Sequence, residues 1–185
     1  MASEAKILPL APADRSERAR SLLAQLTAEG RQMNVFTTVL RHEGLFARWT
    51  PFVGKLLSGK LPARDREILI LRTAWLCQSA YEWGQHDIIG RRAGLTGADL
   101  LRVVAGPDAE GWEPLERLLM QATDEMHKQC AVSDPTWAGL ARRYDEAQMI
   151  EIPMVVGHYH MVAFALNSIG VEAEPGLPGF PSTGN

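Results

Sequence analysis

LPARDREILILRTAWLCQSAYEWGQHDIIGRRAGL, residues 61–95, decides the fold. Its first half is apolar almost all round, through Leu61, Ile68, Leu69, Leu71 and Leu76, and Pro62 suits a first helical turn, so the spacing predicts a central, buried helix. A single helix over 62–93 would hold Glu67 and Glu82 about 22 Å apart, at a rise of about 1.5 Å per residue. Ser79-Ala-Tyr-Glu82 reads instead as a capping box, which predicts a break at 77–79 and a new helix over about 80–93. The turn folds Glu67 back towards the start of the second helix, where free N–H groups and the positive dipole end attract carboxylates and developing oxyanions. Glu82 and His86, four residues apart, share a face there, so Glu82 is expected to orient an imidazole, the side chain whose ordinary range spans neutral pH.

Outward from this hairpin the apolar period stays helical. Residues 13–30 carry Ala19, Leu22, Leu23 and Leu26 on one stripe and stop at Gly30; residues 33–49 read as a helix broken near Gly44; Pro51 starts a short helix ending near Gly59. Thr96 and Asp99 form a capping box that opens a helix to about Ala105, further helices are expected over 112–128 and from Ser133, and a long one over 145–169. No segment alternates as a strand does, so the fold class is all-α. One domain over 13–171 is expected, preceded by a flexible stretch at 1–12 and followed by a Pro/Gly-rich tail at 172–185 with only Leu177 and Phe180 to bury.

The chain of 185 residues is 46% hydrophobic and 22% charged with a net charge of −3, which is ordinary for a soluble domain and offers no cationic field for nucleic acid. Two cysteines, Cys77 and Cys130, are too few for a disulfide framework, and with no signal-peptide pattern at the N-terminus a cytoplasmic protein with buried free thiols is expected. Residues 152–169 approach membrane length but contain Pro153, His158, His160 and Asn167, so they read as a buried helix and no membrane contact is expected. Surplus large apolar residues, Leu22, Leu26, Phe36, Leu40, Phe46, Met154, Met161 and Phe164, point to a homo-oligomer, a dimer or a trimer of dimers joined by helices.

Pro62-x-x-x-x-Glu67, Tyr81-Glu82-Trp83-x-x-His86, Ala93-Gly94-Leu95, a later Trp137 and Ala165-Leu166-Asn167-x-x-Gly170 together resemble the carboxymuconolactone decarboxylase family, whose superfamily includes the AhpD-type alkylhydroperoxidases. The resemblance covers roughly residues 35–171. It implies an AhpD-like helical bundle that oligomerises, with its site at the start of the helix after the break. The peroxidase branch has a glutamate, a Cys-x-x-Cys pair and a histidine; the corresponding places here are Glu67, Ser79, Glu82 and His86, so both redox sulfurs are missing.

Loss of carbon dioxide from an acid conjugated to a carbonyl needs a proton donor or base and an anion-stabilising site. The expected catalytic set is His86 as acid/base, Glu82 as its orienting partner and Glu67 as a second carboxylate, with Ser79, Tyr81, Trp83 and His160 lining the substrate site. One of Arg64, Arg66 and Arg72 would pair with a substrate carboxylate while the others lie on a solvated face. No cofactor and no metal site are expected, since no His-x-x-x-His or Cys-x-x-Cys anchors one. The substrate is expected to be a small carboxylate or lactone. The alternatives are a thiol-dependent peroxide reductase using Cys77 and a non-catalytic helical binding oligomer.

Overall fold

The computed structural model describes residues 5–28 and 30–181, and its regular elements are all helices, with no strand among the described residues. Residues 1–4 of the stretch expected to be flexible and 182–185 of the tail lie outside them. The α-helices are α1 (Glu17–Ala24), α2 (Asn34–Val39), α3 (Glu43–Leu57), α4 (Ala63–Leu76), α5 (Ala80–Arg92), α6 (Gly97–Ala105), α7 (Pro114–Gln129), α8 (Asp134–Ala141) and α9 (Glu146–Ile169). They fall into two compact units, one up to Ser58 with Ala165–Gly176, the other Gly59–Phe164 with the segment from Leu177.

In the first unit two expected boundaries move. The helix expected over 13–30 shrinks to α1, because Ser16 caps it by accepting from the Ala19 N–H at 2.9 Å, and further on the Thr27 hydroxyl takes the Gly30 N–H at 3.1 Å. The second break falls before Gly44 rather than at it. His42 Nδ1 accepts from the Leu45 N–H at 3.2 Å and starts α3, which then runs on through Pro51 with that ring on the exposed side, where water reaches the unpaired carbonyl. Ala19, Leu23, Leu40 and Phe46 form this unit's core, with Leu22, Leu26 and Phe36 packed against it.

The second unit is built on the α4–α5 hairpin, broken where the sequence places the break. Cys77 ends α4, Gln78 takes a left-handed φ of 51° and Ser79 begins α5. Gly90 lets the two helices close up: a Cβ there would lie 2.9 Å from Leu95 Cδ1 and 3.2 Å from Leu71 Cδ1. The capping box expected at Ser79 does not form. Ser79 is fully buried and makes no cap bond, and Glu82 is 3% exposed, so its carboxyl stays in the interior instead of reaching back to the helix end. The box at Thr96 and Asp99 does form.

The arginines also depart from expectation, since none of the three lies free on a solvated face. Arg72 makes a two-pronged contact to Asp124 at 2.6 and 2.9 Å and donates to the Val103 carbonyl at 2.8 Å, tying α4 to α6 and α7. Arg64 donates to Glu116 at 2.8 Å, and Arg66 to Glu67 at 3.1 Å. A buried guanidinium is tolerable only when paired, so the burial of α4 dictates these partners. Cys130 is exposed rather than buried, and Cys77 is half-buried.

Helix α9 is long and apolar enough to cross a membrane by length and composition, but half of that window is buried inside the protein. Its remaining apolar surface is concentrated in Ile150, Met154, Met161 and Phe164, all at least 45% exposed.

Candidate functional site

Glu67 sits in the second turn of α4 with no exposed surface, and a buried carboxyl must be hydrogen-bonded to be tolerated. Its Oε2 lies 2.6 Å from His86 Nδ1, and its Oε1 accepts from Arg66 Nε at 3.1 Å. The group that orients His86 is therefore Glu67 and not Glu82, as the helical spacing had led us to expect. Four-residue spacing makes Glu82 and His86 neighbours on one helix, but the close hairpin offers His86 a partner from the facing helix in a drier place. With Nδ1 committed to Glu67, Nε2 is the nitrogen left for proton transfer. The imidazole packs edge-on against Tyr159 of α9, centroids 4.8 Å apart, and Tyr159 packs likewise against His158 at 5.2 Å.

Glu82 lies in the first turn of α5, and its buried carboxyl has only the Ser79 hydroxyl near it, outside good hydrogen-bond geometry. Burial pushes its pKa up to about 8, and the Ser79 hydroxyl opposes this only weakly. Trp83 Nε1 is buried without a partner, and Ser79 Oγ is buried with no strong hydrogen bond. Three polar side chains thus converge in sequence on one helix start, each at a cost of about 1–3 kcal/mol if left unsatisfied.

The neighbours of His86 are held neutral. Burial and the nearby His86 depress His158 to about 4, and burial raises the Tyr159 phenol well above its ordinary value, with Glu67 and Glu82 adding to the effect. Burial, then Glu82, pushes the Cys77 thiol up to about 11. At neutral pH Glu82, His158, Tyr159 and Cys77 are therefore uncharged.

Of the other expected site residues, Tyr81 is 5% exposed and Trp83 fully buried, so Trp83 is a packing residue with an unused N–H. The tail lies over it. Phe180 packs against Trp75 and Trp83 with centroids 5.2 and 5.4 Å apart, and a Cβ on Gly84 would stand 2.8 Å from the Pro178 carbonyl oxygen and 3.2 Å from Leu177 Cβ. Gly84→Ala is therefore expected to lift 177–181 off α5 while leaving the helix itself at least as stable, since alanine is the better helix former by about 1 kcal/mol. Faster proteolytic trimming of the tail with an unchanged helical circular dichroism spectrum is the expected result.

The contacts of His160 are with His127 rather than with the Glu67–His86 pair: His127 Nδ1 and His160 Nε2 are 2.9 Å apart. Ligand atoms of Cys77, His127 and His160 all lie within 4.8 Å of one another. The sequence reading missed this group because its members come from three elements, and it missed Tyr159 too. The one signal was the polar run His158-Tyr159-His160 inside an otherwise apolar helix. A polar hollow of about 340 Å³ lined by Asp108, Arg117, Asp124 and Lys128 includes none of the expected site residues.

Residues 43–125 match the sequence model of the Carboxymuconolactone decarboxylase family. No curated protein sequence matches the chain. Among solved structures, a protein of unknown function from Agrobacterium tumefaciens, provisionally assigned as the antioxidant-defence protein AhpD, superposes with a TM-score of 0.68 at 14% identity, covering 74% of this chain and 94% of that one. The debrominase Bmp8 without ligand gives 0.72 at 14% identity, covering 91% and 92%. A cysteine-to-alanine variant of that debrominase in complex with 2,3,4-tribromopyrrole gives 0.74 at 14%, covering 95% of each chain. The all-helical fold is that of these solved structures.

Proposed function

Since the chain carries a carboxymuconolactone decarboxylase-family region at 43–125, we propose that it is an enzyme of that general type, acting on a small oxygenated carboxylic acid or lactone by His/Glu proton transfer. The observation that carries this reading is the buried 2.6 Å contact between Glu67 and His86, with the buried carboxyl of Glu82 one turn earlier on α5. In a decarboxylation the substrate's carbon–carbon bond electrons pass into its own conjugated carbonyl as carbon dioxide leaves. His86 Nε2, with Glu67 holding Nδ1, protonates the resulting carbanion; Glu82 and the Ser79 hydroxyl donate hydrogen bonds to the developing oxyanion. Isomerisation and lactone hydrolysis use the same acid/base pair.

His86 is only 6% exposed, so substrate reaches it only when part of its cover moves. Carbon dioxide release from a panel of carboxylated lactones and β-keto acids tests the reading: the wild type is expected to release it from at least one member. Failure across the panel, with no isomerised or hydrolysed product by mass spectrometry, would sink it.

A thiol-dependent peroxide reduction is the weaker reading. It needs an accessible low-pKa thiolate, and burial and Glu82 drive Cys77 the other way. On chelator-treated protein at pH 7, iodoacetamide is expected to modify Cys130 promptly and Cys77 slowly, read by peptide mass spectrometry; fast labelling of Cys77 would revive that chemistry.

The proposal includes self-association. Leu40 and Phe46 are spent on the core of their own unit, so the surplus apolar area narrows to Ile150, Met154, Met161 and Phe164, which share a face of α9. Light scattering at micromolar concentration is expected to give a multiple of 20.4 kDa, and Phe164→Glu to reduce it; a monomer in the wild type would contradict this.

A further inference from the structure

We propose that Cys77, His127 and His160 form a binding site for a divalent metal ion of the zinc type, with one coordination position left open. The three come from the end of α4, the last turn of α7 and the middle of α9, and their ligand atoms already lie within 4.8 Å of one another. A thiolate and two imidazoles are the donor set of a borderline-soft ion and unsuited to magnesium or calcium. Two nitrogens held tetrahedrally at about 2.0 Å from a zinc ion are about 3.3 Å apart, and a sulfur at about 2.3 Å lies about 3.5 Å from each. The observed 2.9 Å between His127 Nδ1 and His160 Nε2 needs only a slight opening, and the thiol, within 4.8 Å of both, an approach of at most about 1.3 Å to reach about 3.5 Å, within reach of side-chain rotation.

The hydrogen bonding around the histidines favours a metal over mere packing. His160 Nδ1 donates to the Val156 carbonyl at 2.9 Å, which leaves Nε2 as an unprotonated lone pair aimed at the cluster. A ring nitrogen tied to a backbone carbonyl is the usual second tether of a metal-bound histidine. His127 Nδ1 must then carry the proton between the two rings. His127 is exposed, so the proton can move to its solvent-facing Nε2 at little cost and free Nδ1 as a ligand. Binding therefore releases one proton, that of the Cys77 thiol, because a coordinated thiol is deprotonated outright. Three protein ligands leave the fourth position to water or to an anionic oxygen. Neither Glu67 nor His86 is a ligand, so this site and the proton-transfer reading stand or fall separately.

Cobalt(II) is the probe. Titrated into the full chain after chelator treatment, it is expected to bind one to one, giving the intense visible bands of four-coordinate cobalt and a thiolate charge-transfer band in the near ultraviolet that zinc abolishes by displacement. Cys77→Ser should remove the charge-transfer band, Cys130→Ser should leave it, and His127→Ala should weaken binding by at least about a hundredfold, more than the loss of a second tether alone. His127 is exposed, so that variant is expected to fold; circular dichroism checks it. Weak six-coordinate cobalt spectra in the wild type, or a band that survives Cys77→Ser and disappears in Cys130→Ser, would overturn the proposal.

Discussion

Replacing His86 with alanine is expected to lower turnover of a responsive substrate by about 10²–10⁴-fold, the range over which a positioned general acid/base contributes. The helical content should be retained. The expectation rests on His86 having Nδ1 fixed by Glu67 at 2.6 Å and only Nε2 free for the reacting atom. Glu67→Gln probes the same unit from the other side. It keeps the shape of the side chain but removes the acceptor pair shared between Arg66 Nε and His86 Nδ1, so the proton is no longer directed to Nδ1. Its turnover should fall by a comparable factor. Because breaking one side of a buried charge pair costs about 3–5 kcal/mol, a thermal melt must accompany the rate measurement. A rate loss larger than the loss of folded protein is the result that assigns the effect to chemistry.

The second large effect is on stability and concerns Glu82. Its pKa rises from an ordinary 4.5 to about 8 on folding, through burial. A carboxyl raised in this way contributes its full stability below the unfolded value near 4.5 and loses it as pH rises through the folded value. At about 1.4 kcal/mol per pKa unit the loss reaches about 5 kcal/mol by pH 8 and above. His158 works in the opposite sense, since its depression to about 4 adds stability as pH rises from about 4 to 6.5. The two contributions cancel over about pH 4.5–6.5. Wild-type stability should therefore be nearly flat there and decline from about 6.5 to 8. Glu82→Gln, which mimics the protonated acid, should remove the decline. Denaturant melts of both proteins at pH 5, 7 and 9 measure it: the variant's advantage should grow with pH, and equal advantages at all three values would show that Glu82 is not held neutral.

The hairpin was legible because its evidence is local. An all-round apolar run, a proline at the first turn and a capping-box pattern at Ser79 and Glu82 are each properties of a few adjacent residues, and the break falls at Gln78 and Ser79 although the box itself does not form. That the turn folds Glu67 back onto the second helix was also legible, and it meets His86 there. The division of labour among Glu67, Glu82 and His86 was not, because i to i+4 spacing describes neighbours on one helix and says nothing of how closely a facing helix approaches. Gly90 sets that approach, and a glycine inside a helix reads in sequence as a weak point rather than as a contact. The arginines misled for a related reason: charge on a helix suggests solvent until the partners on α7, Glu116 and Asp124, are placed beside them. Leu177 and Phe180 stood out as the tail's only apolar anchors, and they are the residues that hold it against Gly84 and Trp83. The Cys77, His127 and His160 group had no signature at all, since fifty residues of chain separate the first two and the convergence exists only in three dimensions.

The most direct test of the Glu67–His86 unit is a nitrogen-15 NMR spectrum of the histidine-labelled full chain. A strongly hydrogen-bonded, far-downfield Nδ1 proton on His86 is predicted for the wild type and for Glu82→Gln, and its loss is predicted for Glu67→Gln. A signal that survives Glu67→Gln and vanishes in Glu82→Gln would contradict the account.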